Sequence, residues 1–175
     1  MIVFRHADPR LPFFWEDRRQ PPARWHGPEE GPVQYICDTP DGAWAEFLRH
    51  EEVRTPEDLA TIRRALWAIE IDDGESGVRP ELPASSMTGG LATYDACRTA
   101  ARDLRAKGAT RLDVPSAALN PGGAHGYRVN AGLRAAAPRD GRVIVLFGRR
   151  ASLVGWRAVY NGHPADELLG RVRHL

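Results

Sequence analysis

Short apolar runs alternate with polar, proline-punctuated segments along this chain, and the spacing of the runs predicts its elements. Ile2 to His6 predicts a short first strand. Residues 7–32 then carry six prolines, several charges and the cluster Phe13-Phe14-Trp15, with neither a helical nor a strand period. A loop of that length in a compact domain is expected to be a surface loop pinned by its aromatics or a functional lid. Val33 to Cys37 predicts a second strand, and Asp38-Thr39-Pro40-Asp41 a turn and cap for a helix running to about His50. On that helix Trp44, Phe47 and Leu48 fall at the i, i+3, i+4 spacing of a core-facing stripe, and Gly42, Glu46, Arg49 and His50 lie off it.

Further on, Thr55-Pro56-Glu57-Asp58 marks a helix start, with a cap, an early proline and acids beside the positive dipole end. Leu66 to Ile71 predicts a strand, and residues 72–87, rich in Gly, Pro and Ser, a loop. Thr88 to Lys107 is the longest helix candidate, closed by Gly108. Arg111 to Val114, Arg142 to Phe147 and Leu153 to Tyr160 predict three more strands, and Pro164 to Val172 a final short helix. Strands and helices mix without a βαβ rhythm, so the predicted class is α+β: one compact domain over residues 1–175, with a mixed sheet and flanking helices.

Composition narrows the functional classes. A length of 175 residues suits a single domain that buries most of its apolar surface unaided. The net charge of +1 gives no footprint for nucleic acid or an acidic membrane. No apolar run approaches a membrane span, and proline and charge interrupt the N-terminus too early for a signal peptide. Cys37 and Cys97 stand alone and read as buried free thiols of a reducing, cytoplasmic compartment. Of 24 basic residues only Lys107 is a lysine, so any single arginine is a weak sign of phosphate binding.

Several familiar sites are missing from the sequence: a Walker loop, a dinucleotide fingerprint, a Gly-x-Ser-x-Gly elbow and a metal-ligand spacing of histidines. No metal is expected. What stands out is the ordered run Arg24, Tyr35, Glu46. A guanidinium, a phenol ring and a carboxylate are what a site needs to hold a phosphate, stack on a flat heterocycle and steady a sugar cation. His50 follows Glu46 by one helical turn, on the same face. Taken singly, each has an ordinary reading. Arg24 is one of many arginines, Arg5 closes a strand, Tyr35 packs in a core, Glu46 and His50 form a solvated pair, and Ser116 caps a turn.

The ordered set changes that balance. Arg5, Ala23-Arg24-Trp25, Tyr35, Ala45-Glu46 with His50, and Val114-Pro115-Ser116 followed by Asn120-Pro121 closely resemble the RES domain, over about residues 2–125. The family takes its name from an arginine, a glutamate and a serine, which correspond here to Arg24, Glu46 and Ser116. Residues 126–175 are then expected to complete the fold as C-terminal strands and a helix.

The resemblance implies a fold similar to diphtheria-type ADP-ribosyltransferases and an enzyme that consumes NAD+, transferring ADP-ribose to phosphate, water or a protein. It implies the toxin half of a toxin–antitoxin pair, with an Xre-type helix-turn-helix antitoxin as partner and a homodimer or toxin–antitoxin hetero-oligomer as the assembly. It also implies roles: Glu46, Arg24 and Tyr35 in catalysis, and Arg5, Arg24, Tyr35, His50 and Ser116 in holding NAD+ as substrate. Two alternatives stay open, a protein ADP-ribosyltransferase and a non-catalytic RES-like binding module. The chain departs from the family pattern at Pro22-Ala23, where two glycines are usual, and at His26, where asparagine is usual.

Overall fold

The computed structural model describes residues 1–72, 74 and 77–174. Six strands form one sheet in the order β4-β7-β2-β1-β3-β8. They are β1 (Ile2–Ala7), β2 (Val33–Cys37), β3 (Arg64–Glu70), β4 (Arg111–Pro115), β7 (Arg142–Phe147) and β8 (Gly155–Gly162). All five strand pairings are antiparallel, and a parallel bridge from Val78 to Leu112 extends the β4 edge. Two further strands, β5 (Tyr127–Val129) and β6 (Leu133–Ala135), make a separate hairpin.

Alternation along the strands gives the sheet a core on each face. Val33, Cys37, Val143, Val145 and Phe147 pack with Trp44, Ala45 and Leu48 of helix α1 (Pro40–His50). Val3, Ile36, Ile69, Ile144 and Leu146 pack on the other face against Phe13, Phe14 and Leu153. Thr39 caps α1 by accepting from the Gly42 amide at 3.0 Å, and Thr55 likewise caps α2 (Pro56–Thr61) through the Asp58 amide.

The α+β class and the first strand, second strand and first helix stand where the apolar pattern puts them. The single helix expected over Thr88–Lys107 does not form. It is split into α3 (Ala84–Thr88), a 3₁₀ turn at Leu91–Thr93 and α4 (Tyr94–Ala106), with Gly89 and Gly90 at the break. A Cβ on Gly89 would meet the Ser85 carbonyl oxygen and Thr93 Cγ2 at 2.7 Å, so only glycine lets the chain turn this tightly. Gly108, at φ +91°, ends α4 as expected. Within the expected loop 72–87, residues 73, 75 and 76 lie outside the described residues, and α3 occupies its end. The last helix is a 3₁₀ segment, Asp166–Arg171, and the eighth strand begins at Gly155 because Leu153 turns back to bond the Arg150 carbonyl.

The long segment between β1 and β2 is irregular but tied down. Gln20 and the Val33 backbone exchange two hydrogen bonds, of 2.7 and 2.5 Å. Gln34 accepts from the Trp15 amide at 3.1 Å and donates to the Trp15 carbonyl. The two glutamines replace a backbone ladder that this segment lacks, which fixes Phe13, Phe14 and Trp15 over the sheet.

Candidate functional site

β1 and β2 share one paired position, Phe4 with Cys37. Beyond it the strands part, and a cavity of about 660 Å³ opens in the gap. That volume is within the range of small-molecule sites, roughly 300–1,000 Å³. Phe4, Arg5 and His6 of β1, Tyr35 of β2 and Glu46, Arg49 and His50 of α1 line it, and Leu11, Phe13, Phe14 and Trp15 roof it. The long loop therefore serves as a wall of the cavity.

Glu46 is the carboxylate that α1 gives to this cavity. Ser116, at the end of β4, donates its hydroxyl to Glu46 Oε1 at 3.2 Å, and its own oxygen accepts the amides of Ala118 and Leu119 at 3.2 Å each. Burial raises the Glu46 carboxyl above its usual range, opposed by His50, by Arg49, by the Ser116 bond and by Arg24. His50 is exposed at the cavity edge one turn along α1, on the same side as Glu46.

Tyr35 lies with its ring in the cavity wall, and its hydroxyl is engaged elsewhere. It accepts the Trp25 amide at 3.0 Å and pairs with His26 Nδ1 at 2.9 Å, while His26 Nε2 meets the Pro21 carbonyl at 3.0 Å. Burial pushes the Tyr35 hydroxyl further into its protonated range. The Arg24 loop, where the chain leaves the family's Gly-Gly and Asn pattern, thus hangs on Tyr35 and His26.

Arg24 is buried and lines the cavity, with its guanidinium 4.5 Å over the Tyr94 ring. It donates to the Ser86 carbonyl at 3.2 Å, Thr93 Oγ1 at 3.0 Å and the Gly89 carbonyl at 2.6 Å. These bonds use three of its five donors. Arg49, beside Glu46 on α1, is also buried and shares the Gly89 carbonyl at 3.2 Å. It further donates to the carbonyls of Ala117 and Arg173. Arg5 donates to Gln34 Oε1 at 3.0 Å and the Tyr35 carbonyl at 3.3 Å, and burial lowers it to about 10. All six expected residues therefore meet at one place: five line the cavity, and Ser116 touches it through Glu46.

Other lining residues escape sequence reasoning. His6 is held down to about 3 by burial and then by Arg64, Arg5 and His50, so it is a neutral imidazole at physiological pH. Arg64 and Arg49 were two arginines among many, with no local signal. Gly89-Gly90 was the one cue that a turn, and hence exposed carbonyls for Arg24 and Arg49, would interrupt the long helix.

The fold is an α+β domain with a cavity at a split in an antiparallel sheet, walled by arginines, an aromatic ring and a glutamate. The RES domain model matches residues 3–153, and the chain belongs to that family. The match runs past residue 125 to include β7, which sits inside the sheet between β4 and β2. Among solved structures, one similar chain comes from the crystal structure of the M. tuberculosis MbcT–MbcA toxin–antitoxin complex. The two align with a TM-score of 0.60 at 14% identity, over 91% of this chain and 84% of that one. A comparison with curated proteins finds no match. Among the described residues no helix is long and apolar enough to cross a membrane.

Proposed function

We propose that this chain is a RES-type toxin that cleaves the nicotinamide–ribose bond of NAD+ in the cytoplasm. The observation that carries the reading is Glu46, fixed by Ser116 at 3.2 Å in the wall of a cavity that also holds Arg5, Arg24, Tyr35 and His50. In the reaction the bond between ribose C1′ and the nicotinamide nitrogen breaks, and its electron pair leaves with neutral nicotinamide. The sugar passes through an oxocarbenium-like state. Glu46 holds a ribose hydroxyl and stabilises that cation by fixed electrostatics. Phosphate or water then bonds to C1′ and gives up a proton.

Tyr35 presents its ring to nicotinamide, His50 orients Glu46 or the ribose, and Arg5 and Arg24 attract the diphosphate. Ser116 acts through Glu46. The acceptor is phosphate or water in this reading, and an Xre-type helix-turn-helix antitoxin is the partner that neutralises the chain, in a homodimer or a toxin–antitoxin hetero-oligomer. Residues 1–175 act as one RES-like domain.

One observation favours a different class. The bonds from Arg24 to Ser86, Gly89 and Thr93 occupy most of its donors, as suits a non-catalytic binding module. Incubation with NAD+, with and without phosphate, separates the two by the release of nicotinamide. Glu46→Gln is expected to keep the fold and lose most of that release. Wild-type turnover by this variant would remove Glu46 from the mechanism, and label on a polypeptide would identify a protein ADP-ribosyltransferase instead.

A further inference from the structure

Trp15 stands in the roof of the cavity with 44% of its surface exposed, although its peptide groups are held at both ends. The side-chain amide of Gln34, itself buried, accepts from the Trp15 N–H at 3.1 Å and donates to the Trp15 carbonyl. Among the described residues the indole has neither a ring contact nor a hydrogen bond. A lone exposed apolar side chain is ordinary. Here a buried side chain uses both its polar ends to fix the main chain, so the ring is presented to the cavity with little conformational entropy left to lose on binding.

Gln34 also places Trp15 relative to charge. The oxygen that takes the Trp15 N–H accepts from Arg5 Nη1 at 3.0 Å, and the same Arg5 nitrogen donates to the Tyr35 carbonyl at 3.3 Å. The Arg5 guanidinium lies 5.7 Å over the ring of Phe14, the residue before Trp15. One nitrogen of Arg5 therefore joins the backbone of Tyr35 to the group that holds Trp15. The order of supports along the wall is Tyr35, Arg5, Trp15: an aromatic ring, a cation, an aromatic ring. Beyond Trp15 in the chain, Glu16 and Asp17 also line the cavity and are exposed, and Asp17 Oδ1 takes the Arg19 amide at 2.8 Å. Carboxylates at that rim repel a phosphate and accept from amino and hydroxyl groups.

We infer that Trp15 is the platform on which the purine base of the dinucleotide stacks, with the diphosphate beside Arg5 and nicotinamide left to Tyr35. A dinucleotide has the same order as the wall, heterocycle, diphosphate, heterocycle. Its adenosine end is neutral and rich in donors, as the acidic rim after Trp15 requires. The inference deepens the NAD+ reading and rests on it for the identity of the ligand.

Calorimetric titration of the full chain with ADP-ribose and with nicotinamide mononucleotide tests the assignment, because only the first carries the purine. Trp15→Ala removes the stacking face and is expected to weaken ADP-ribose about five- to a hundredfold, with nicotinamide mononucleotide changed less than about twofold. Trp15→Phe keeps a smaller ring, falls between the two and guards against a folding defect. In NAD+ turnover the loss in Trp15→Ala appears in KM, with kcat within about twofold of wild type. Wild-type affinity of Trp15→Ala for ADP-ribose, an equal loss for both ligands, or no binding of ADP-ribose by the wild-type chain overturns the proposal. Wild-type protein that binds ADP-ribose through Trp15 and releases no nicotinamide from NAD+ sinks the cleavage reading and leaves the purine platform standing.

Discussion

Ser116→Ala asks how far the site depends on one hydroxyl. The side chain is buried, and its oxygen has three partners: Glu46 Oε1 and the amides of Ala118 and Leu119, all at 3.2 Å. Alanine leaves two buried backbone donors without an acceptor, each costing about 1–3 kcal/mol. Relaxation of the short turn at residues 116–119 keeps the sum near the lower end, about 2–4 kcal/mol. For a domain of this size that lowers the melting midpoint by roughly 4–16 °C. The same change frees Glu46, which loses a bond to a charged group worth about 1.5–3 kcal/mol, or roughly ten- to a hundredfold in the rate of nicotinamide release. Thermal melts followed by circular dichroism, with NAD+ turnover at a temperature where the variant stays folded, read both numbers. A midpoint within 1 °C of wild type would refute the three-way bridge. A large drop in stability with unchanged turnover would confine Ser116 to the fold.

Two other perturbations test the surroundings. His6, held down to about 3 in the folded chain against 6.5 when free, binds fewer protons folded than unfolded between those values. Its contribution is therefore complete above pH 6.5 and is lost as pH falls toward 3, at no more than about 1.4 kcal/mol per pH unit. Glu46, raised by burial, gives a slope of the opposite sign just above the normal glutamate range. His6→Gln should flatten the fall in unfolding midpoint between pH 6.5 and 4, and an unchanged profile would contradict a buried neutral imidazole. Arg24→Ala removes the ties to Ser86, Gly89 and Thr93 and is expected to speed amide exchange across residues 86–93 as well as weaken ligand binding. Unaltered exchange there would show that α3 and α4 hold the break without it.

The parts of this chain that sequence made legible are those decided by near neighbours. Val33–Cys37 and the Thr39-capped helix ending at His50 are set by local alternation, a cap and a proline, and these also deliver Tyr35 and Glu46 to one place. Three features were not announced by the apolar pattern. The break at Gly89 is fixed by crowding against Ser85 and Thr93, and its carbonyl faces arginines from two distant segments. The β5–β6 hairpin is short and exposed, with Tyr127, Val129 and Leu133 facing solvent, so no apolar alternation against a core announces it. Arg49 and Arg64 differ from the other arginines only in what surrounds them. Family resemblance named residues that meet at one cavity, and burial then sorted which charges are already partnered.

The position of β7 in the sheet has a consequence for when the proposed site can form. Residues 142–147 pair on one side with β2, which carries Tyr35, and on the other with β4, which leads into Ser116. Glu46 and Ser116 stand 70 residues apart in sequence, and the strand that brings their supports together is made later than either. During synthesis, a chain emerging from the ribosome up to residue 141 holds every residue of the proposed site and lacks the strand that joins its two halves. The proposed site thus forms late and all at once, with the closing of a long-range sheet whose formation is slow compared with local helices.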